Sequence, residues 1–150
     1  MRTLNSVDEL RSLTGQTLGT SSWHEVTQER IQAFADATED WERIHVDPAR
    51  AAATPFGVTI AHGLYTLSLG PKFQYEIFEM TGHSLALNYG YDKVRWLSPV
   101  KVGSRIRMSQ ELLSHEPLEG GSVFRTRQRF EIEGQDKPAC VAESLFAYFD

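Results

Sequence analysis

The feature that most constrains what this chain can fold into is a switch in hydrophobic period between its two halves. In "SRIRMSQELL", Ile106, Met108 and Leu112 alternate with Arg105, Arg107 and Glu111. In "VFRTRQRFEIE", Phe124, Phe130 and Ile132 share one side, while Arg125, Arg127, Arg129 and Glu131 share the other. Successive strand side chains point to opposite faces, so this pattern describes antiparallel sheet with one face buried and one solvated. "PLEGGS" and "GQDKP" supply turns, and "ACVAESLFAYF" reads as the closing strand. "SLALNYGYDKVRWL" is a further strand, with Gly90 a bulge or a point of close approach.

Upstream the period is helical. "SVDELRSLTG" predicts a short opening helix capped by Ser6 and stopped at Gly15, with extended chain from Thr17 to Val26. Thr27 is placed to cap a second helix, along which Ile31, Phe34, Ala35 and Thr38 recur at helical spacing. From Glu39 to Asp47 the period is lost and a loop is expected, then a short helix with Pro48 in its first turn. A longer helix is expected from about Ala61 to Met80, apolar on too many sides to be exposed and kinked or broken at Pro71. Helices first, then a run of antiparallel strands, defines an α+β chain with a sheet packed on a central helix.

The 150 residues are read as one domain. A net charge of −5 argues against a nucleic-acid partner. The run from Val58 to Leu69 is too short to span a bilayer and contains His62, so no membrane role is expected. Cys140 is the only cysteine and no signal peptide is visible, which points to the cytoplasm.

Within "FADATEDWERIHVDPARAAATPFGVTIAHGLYT", Asp40 and His45 stand five positions apart in the expected loop. A carboxylate beside an imidazole fixes its tautomer, and the pair can hold a water and move protons in both directions. Alone, an acid and a histidine at this spacing more often serve a helix end and a satisfied polar contact. Gly63 opens the expected long helix, where its amide lacks an intrahelical acceptor and could meet a developing negative oxygen. The plain alternative is a glycine chosen for tight packing, with His62 a buried hydrogen-bonding residue. A metal site of His45, Asp47 and His62 has no recognised ligand spacing, and no metal is expected.

Taken together, "FADATEDWERIHVDPARAAATPFGVTIAHGLYTLSL", "LNYGYDKVRWLSPVKVGSRIR" and "KPACVAES" resemble the MaoC-like dehydratase family, which includes the (R)-specific enoyl-CoA hydratases, and within it the NodN-like branch. The resemblance implies a hotdog fold, an antiparallel sheet wrapped around a long central helix, and a homodimer. It implies reversible syn addition of water to a trans-2-enoyl-CoA, with an acyl-CoA thioester as substrate and no cofactor. By position, Asp40 and His45 match the family's catalytic dyad, and Gly63 the glycine whose amide binds the thioester oxygen. Which dyad member acts as base is left open, since the pair can titrate as a unit.

The chain departs from the family pattern Asp-x-Asn-Pro-x-His, reading Asp40-Trp41-Glu42-Arg43-Ile44-His45, and has Glu39 where a glycine is more usual. Lys93, Arg95, Lys101, Arg105 and Arg107 are candidates for the coenzyme A phosphates. Tyr65 and Asn88 are candidates to line an acyl channel, while Trp41 and Trp96 are expected in core, rim or dimer contacts. A hotdog thioesterase, or an acyl-CoA-binding subunit that the charges at Glu39, Glu42 and Arg43 have silenced, are the competing readings.

Overall fold

The computed structural model describes residues 1–150. Its helices are α1 (Val7–Arg11), α2 (Gln28–Thr38), α3 (Arg43–Val46), α4 (Pro48–Ala52), α5 (Gly63–Ser68) and α6 (Gly70–Ile77). Its strands are β1 (Arg2–Leu4), β2 (Thr17–Thr20), β3 (His24–Glu25), β4 (Phe78–Met80), β5 (Leu85–Trp96), β6 (Arg105–Leu118), β7 (Gly121–Ile132) and β8 (Cys140–Phe149). The main sheet has the order β2-β6-β7-β8-β5, and β3 also pairs with β6.

The alternation read in the sequence is the alternation of burial. Ile106, Met108, Leu112, Phe124 and Phe130 are wholly buried, and their charged neighbours lie on the outer face. Helix α6 covers the inner face: the Phe73 and Phe130 rings lie 6.2 Å apart. Burying one such aromatic contributes about 1.5–3 kcal/mol, so this contact anchors helix to sheet. Strand β5 pairs only with β8, and the ladder shifts register between Asn88 and Gly90, where the sequence placed a bulge.

Capping set the helix starts. Ser6 accepts from the Glu9 amide, Thr27 from that of Arg30, and Asp47 from that of Arg50 ahead of Pro48. Two expectations need correction. The helix expected over residues 61–80 is two helices meeting at Leu69, and its last three residues are strand β4, paired in parallel with β1. Pro71 explains the break, because it has no N–H to carry the ladder through. The loop expected over residues 39–47 contains the one-turn helix α3, too short to show a period.

Candidate active site

Helix α2 ends at Glu39, which takes a left-handed conformation (φ 59°) while its N–H bonds the Ala35 carbonyl. That turn ends the helix and presents Asp40 beyond it. A non-glycine residue here stores about 1–2 kcal/mol of strain, the physical reason a glycine suits this position better. Chain then runs through Trp41, whose indole N–H donates to Asp36 Oδ1 at 2.8 Å, into α3 and His45.

His45 is held on three sides. Its Nδ1 donates to the Ile60 carbonyl at 2.7 Å, the Ile60 amide returns a bond to the Ile44 carbonyl at 3.2 Å, and Gln28 Nε2 donates to the His45 carbonyl at 2.8 Å. The Gln28 carbonyl in turn accepts from Thr59 Oγ1. Because Nδ1 carries the proton, neutral His45 presents a bare Nε2 lone pair. Burial holds its pKa below the usual 6.5, outweighing the raising influence of the Ile60 bond and of Asp40.

Donor atoms of Asp40, His45 and His62 lie within 4.8 Å of one another. His62 is buried, stacks on His45 with ring centroids 3.8 Å apart, and donates Nε2–H to the Asp40 main-chain carbonyl at 3.0 Å. It therefore ties the two residues of the expected dyad to one scaffold, and is the buried hydrogen-bonding residue that the sequence suggested. These three are the groups that could hold a cation, but one nitrogen of each ring is already committed to a carbonyl. Asp47 takes no part, because it caps α4.

Gly63 opens α5, and no protein acceptor meets its amide. A Cβ at this position would lie 2.6 Å from Trp96 Nε1, so the indole closes over a backbone that only glycine leaves open. His45, Gly63 and Trp96 line one cavity of about 500 Å³, whose other walls include Phe56, Leu64 and Val100. An imidazole, a free helix-start amide and an apolar wall thus share one space, with the Asp40 carboxylate half exposed beside it.

Of the cation candidates, Lys93 pairs with Glu143, Arg105 with Glu133 and Arg107 with Glu131. Arg95 and Lys101 have no carboxylate partner, and Lys101 bridges to Ile60, the residue that holds His45. Arg43 makes no ion pair with Glu39 or Glu42; Glu42 accepts from the Arg43 main-chain N–H instead. Tyr65 is buried with its hydroxyl 2.7 Å from His24 Nε2 and does not line the cavity. Gln28 and the Ile60 carbonyl were not found from the sequence, because neither carries a motif and both act through long-range contacts.

Comparison with solved structures fixes the class first. The unliganded R-hydratase PhaJ1 from Pseudomonas aeruginosa superposes with a TM-score of 0.77 at 23% identity, covering 97% of this chain and 86% of that one. A sheet packed on a central helix in this arrangement is the hotdog fold. The family follows from the sequence, where the model of the MaoC like domain matches residues 9–130. The chain is 50% identical over 149 residues to "3-hydroxyacyl-thioester dehydratase Z" of Mycobacterium tuberculosis (strain CDC 1551 / Oshkosh), covering 99% of both. It is 43% identical over 148 residues to "Nodulation protein N" of Rhizobium meliloti (strain 1021), covering 91% of this chain and 87% of that one. The chain belongs to the MaoC-like family, and this kinship makes it a hydro-lyase.

Proposed function

We propose that this protein is an (R)-specific enoyl-CoA hydratase and, in reverse, a (3R)-hydroxyacyl-CoA dehydratase, using Asp40 and His45 as its dyad and the Gly63 amide as its oxyanion donor. The observation that carries the reading is the shared cavity of His45 and Gly63, with His45 Nδ1 committed to Ile60. Acyl-CoA thioesters as substrates would place the protein in the cytoplasm and in fatty-acid metabolism.

In this reading a water lies between the Asp40 carboxylate and His45 Nε2. His45 takes one proton as the water oxygen bonds to the β carbon. The double-bond electrons move toward the α carbon and the thioester oxygen, which accepts from the Gly63 amide. The imidazolium then returns its proton to the α carbon on the same face, so water is consumed and the imidazole is regenerated. Asp40 holds the second water hydrogen and stabilises the imidazolium. One oxyanion donor contributes about 3 kcal/mol to such a step. No metal or redox cofactor enters it.

The unpaired cations Arg95 and Lys101 are assigned to the coenzyme A phosphates. Two copies are proposed to join along β5. That edge strand exposes Leu85, Leu87 and Tyr89 at 48%, 43% and 52%, and a long edge with apolar side chains calls for a cover.

The test is hydration of crotonyl-CoA, followed as loss of the conjugated enoyl absorbance, for wild type, Asp40→Asn and His45→Gln. Wild-type turnover with a loss of roughly 10³-fold in each folded variant is expected. No turnover with crotonyl-CoA or longer enoyl-CoAs overturns the proposal. Release of free thiol would then favour the thioesterase, and binding without turnover the acyl-CoA-binding subunit.

A further inference from the structure

The inner face of the main sheet is not uniformly apolar. Register places Met108, Phe130 and Cys140 in one row and Gln110, Gln128 and Ala142 in the next. Leu112, Thr126 and Ser144 form the row after that, and Phe124 beside Phe146 restores an apolar one. A polar belt therefore crosses the core beneath α6. Gln110 Nε2 donates to Gln74 Oε1 at 2.8 Å and to Thr126 Oγ1 at 3.0 Å, and Thr126 bonds Ser144 at 2.7 Å.

Two members of the belt are left unsatisfied. The side-chain carbonyls of Gln110 and Gln128, residues only 1% and 2% exposed, meet no donor. Buried polar atoms are nearly always partnered, and an orphan carbonyl lacks specifically a hydrogen-bond donor. Gln128 also lines a second cavity of about 80 Å³, together with Gln74 and Ser144. That volume holds roughly two or three waters and gives little room to a continuing alkyl chain.

The belt lies along the same central helices as the dyad cavity. Thr66 lines that cavity, and one turn further on a Cβ on Gly70 would stand 3.0 Å from Gln128 Oε1. The seven steps from Gly63 to Gly70, across the junction at Leu69, span about 10 Å, the reach of about eight bonds of extended chain.

We propose that the belt is the far end of the acyl subsite and selects 2-enoyl thioesters whose chain ends in a hydroxyl, which donates to the Gln128 carbonyl. This rests on the hydratase reading above. A plain alkyl chain of the same length would press methylene groups against unpaired carbonyls and displace their water, whereas a hydroxyl supplies the absent donor.

The experiment compares kcat/KM for crotonyl-CoA, the plain eight-carbon 2-enoyl-CoA and its ω-hydroxylated counterpart. Wild type is expected to hydrate crotonyl-CoA and to favour the hydroxylated eight-carbon substrate over the plain one by about tenfold, the worth of one buried hydrogen bond. Gln128→Leu should abolish or reverse that preference. Gln74→Leu, which changes the helix side of the same cavity, should weaken it and carries the test if the first variant does not fold. Hydration of crotonyl-CoA with no preference between the eight-carbon substrates overturns the subsite, leaves the hydratase reading standing, and reduces the belt to a water site. No hydration of any of the three overturns the hydratase reading itself.

Discussion

Cations along β6 and β7 and the two cations that adjoin the cavity-lining residues Trp96 and Val100 in the chain differ in one respect: the former are answered and the latter are not. Across β6 and β7, Arg105 meets Glu133 at 3.0 Å, Arg107 meets Glu131 at 2.8 Å, and Arg127 meets Glu111 at 2.8 Å. Arg125 bonds both Asp92 and Glu143. Arg95 and Lys101 have no such partner. A strand face that alternates charge with apolar residues lays opposite charges side by side across the ladder, so it neutralises itself. The arginine stripe of β7 is therefore answered by its neighbours, and of the cations read as phosphate candidates Arg95 and Lys101 remain without a carboxylate.

The same contrast separates bound from unbound backbone groups, and it yields the largest expected effect. Gly63→Ala should lower kcat/KM by about a hundredfold, since the added methyl drives Trp96 from its place over the free Gly63 amide at the start of α5. The fold should survive, because Trp96 is half exposed; steady-state kinetics beside a thermal melt decides this.

The pH dependence comes next. With the His45 pKa held below 6.5 by burial, kcat/KM should stay level near neutrality and fall about tenfold per pH unit below that depressed pKa, as Nε2 acquires its proton. Removing Asp40, which raises the His45 pKa, should move this limb to lower pH in the residual activity of Asp40→Asn. Stability follows the same sign. The unfolded chain protonates His45 and His24 near 6.5 while the folded chain resists, so their contribution is present above that pH and is lost as pH falls through the depressed values. Urea unfolding midpoints across that range check it.

Replacing Arg95 and Lys101 together by alanine should raise KM for coenzyme A substrates about fivefold, equivalent to roughly 1 kcal/mol, and leave a substrate truncated before the phosphates unaffected. Arg127→Ala should leave both kinetic constants alone and shift stability by less than about 1 kcal/mol, as for an exposed pair. Equal KM shifts from the two changes would erase the distinction between answered and free cations. One expected effect is a gain, in stability alone: Glu39→Gly should stabilise the fold by about 1 kcal/mol by relieving the left-handed turn before Asp40, read as a rise in melting temperature.

Local chemistry was legible in the sequence. Ser6, Thr27 and Asp47-Pro48 start helices, Pro71 breaks one, and Gly90 marks an irregular ladder, because each acts on its immediate neighbours. Strand β4 was misread as helix because three residues show no period, and its partner β1 lies more than seventy positions away. Charge alone makes Lys93, Arg105 and Arg107 candidates for a phosphate; that each is paired shows only in the fold, because their acidic partners are cross-strand neighbours, far off in the chain.

The sequence by itself determined the α+β order, the buried and solvated faces of the sheet, and the presence of an acid, an imidazole and a helix-start glycine in family register. Only the tertiary structure decided that the Ile60 carbonyl takes the His45 proton and that Gln28 clamps the turn. It also decided that His62 joins Asp40 to His45 and that a polar belt crosses the core. The physical reason is one of range. Period and capping record what each residue does to the chain beside it, whereas a hydrogen-bond partner fifteen to forty positions away is fixed only when helix and sheet pack and bury both groups together.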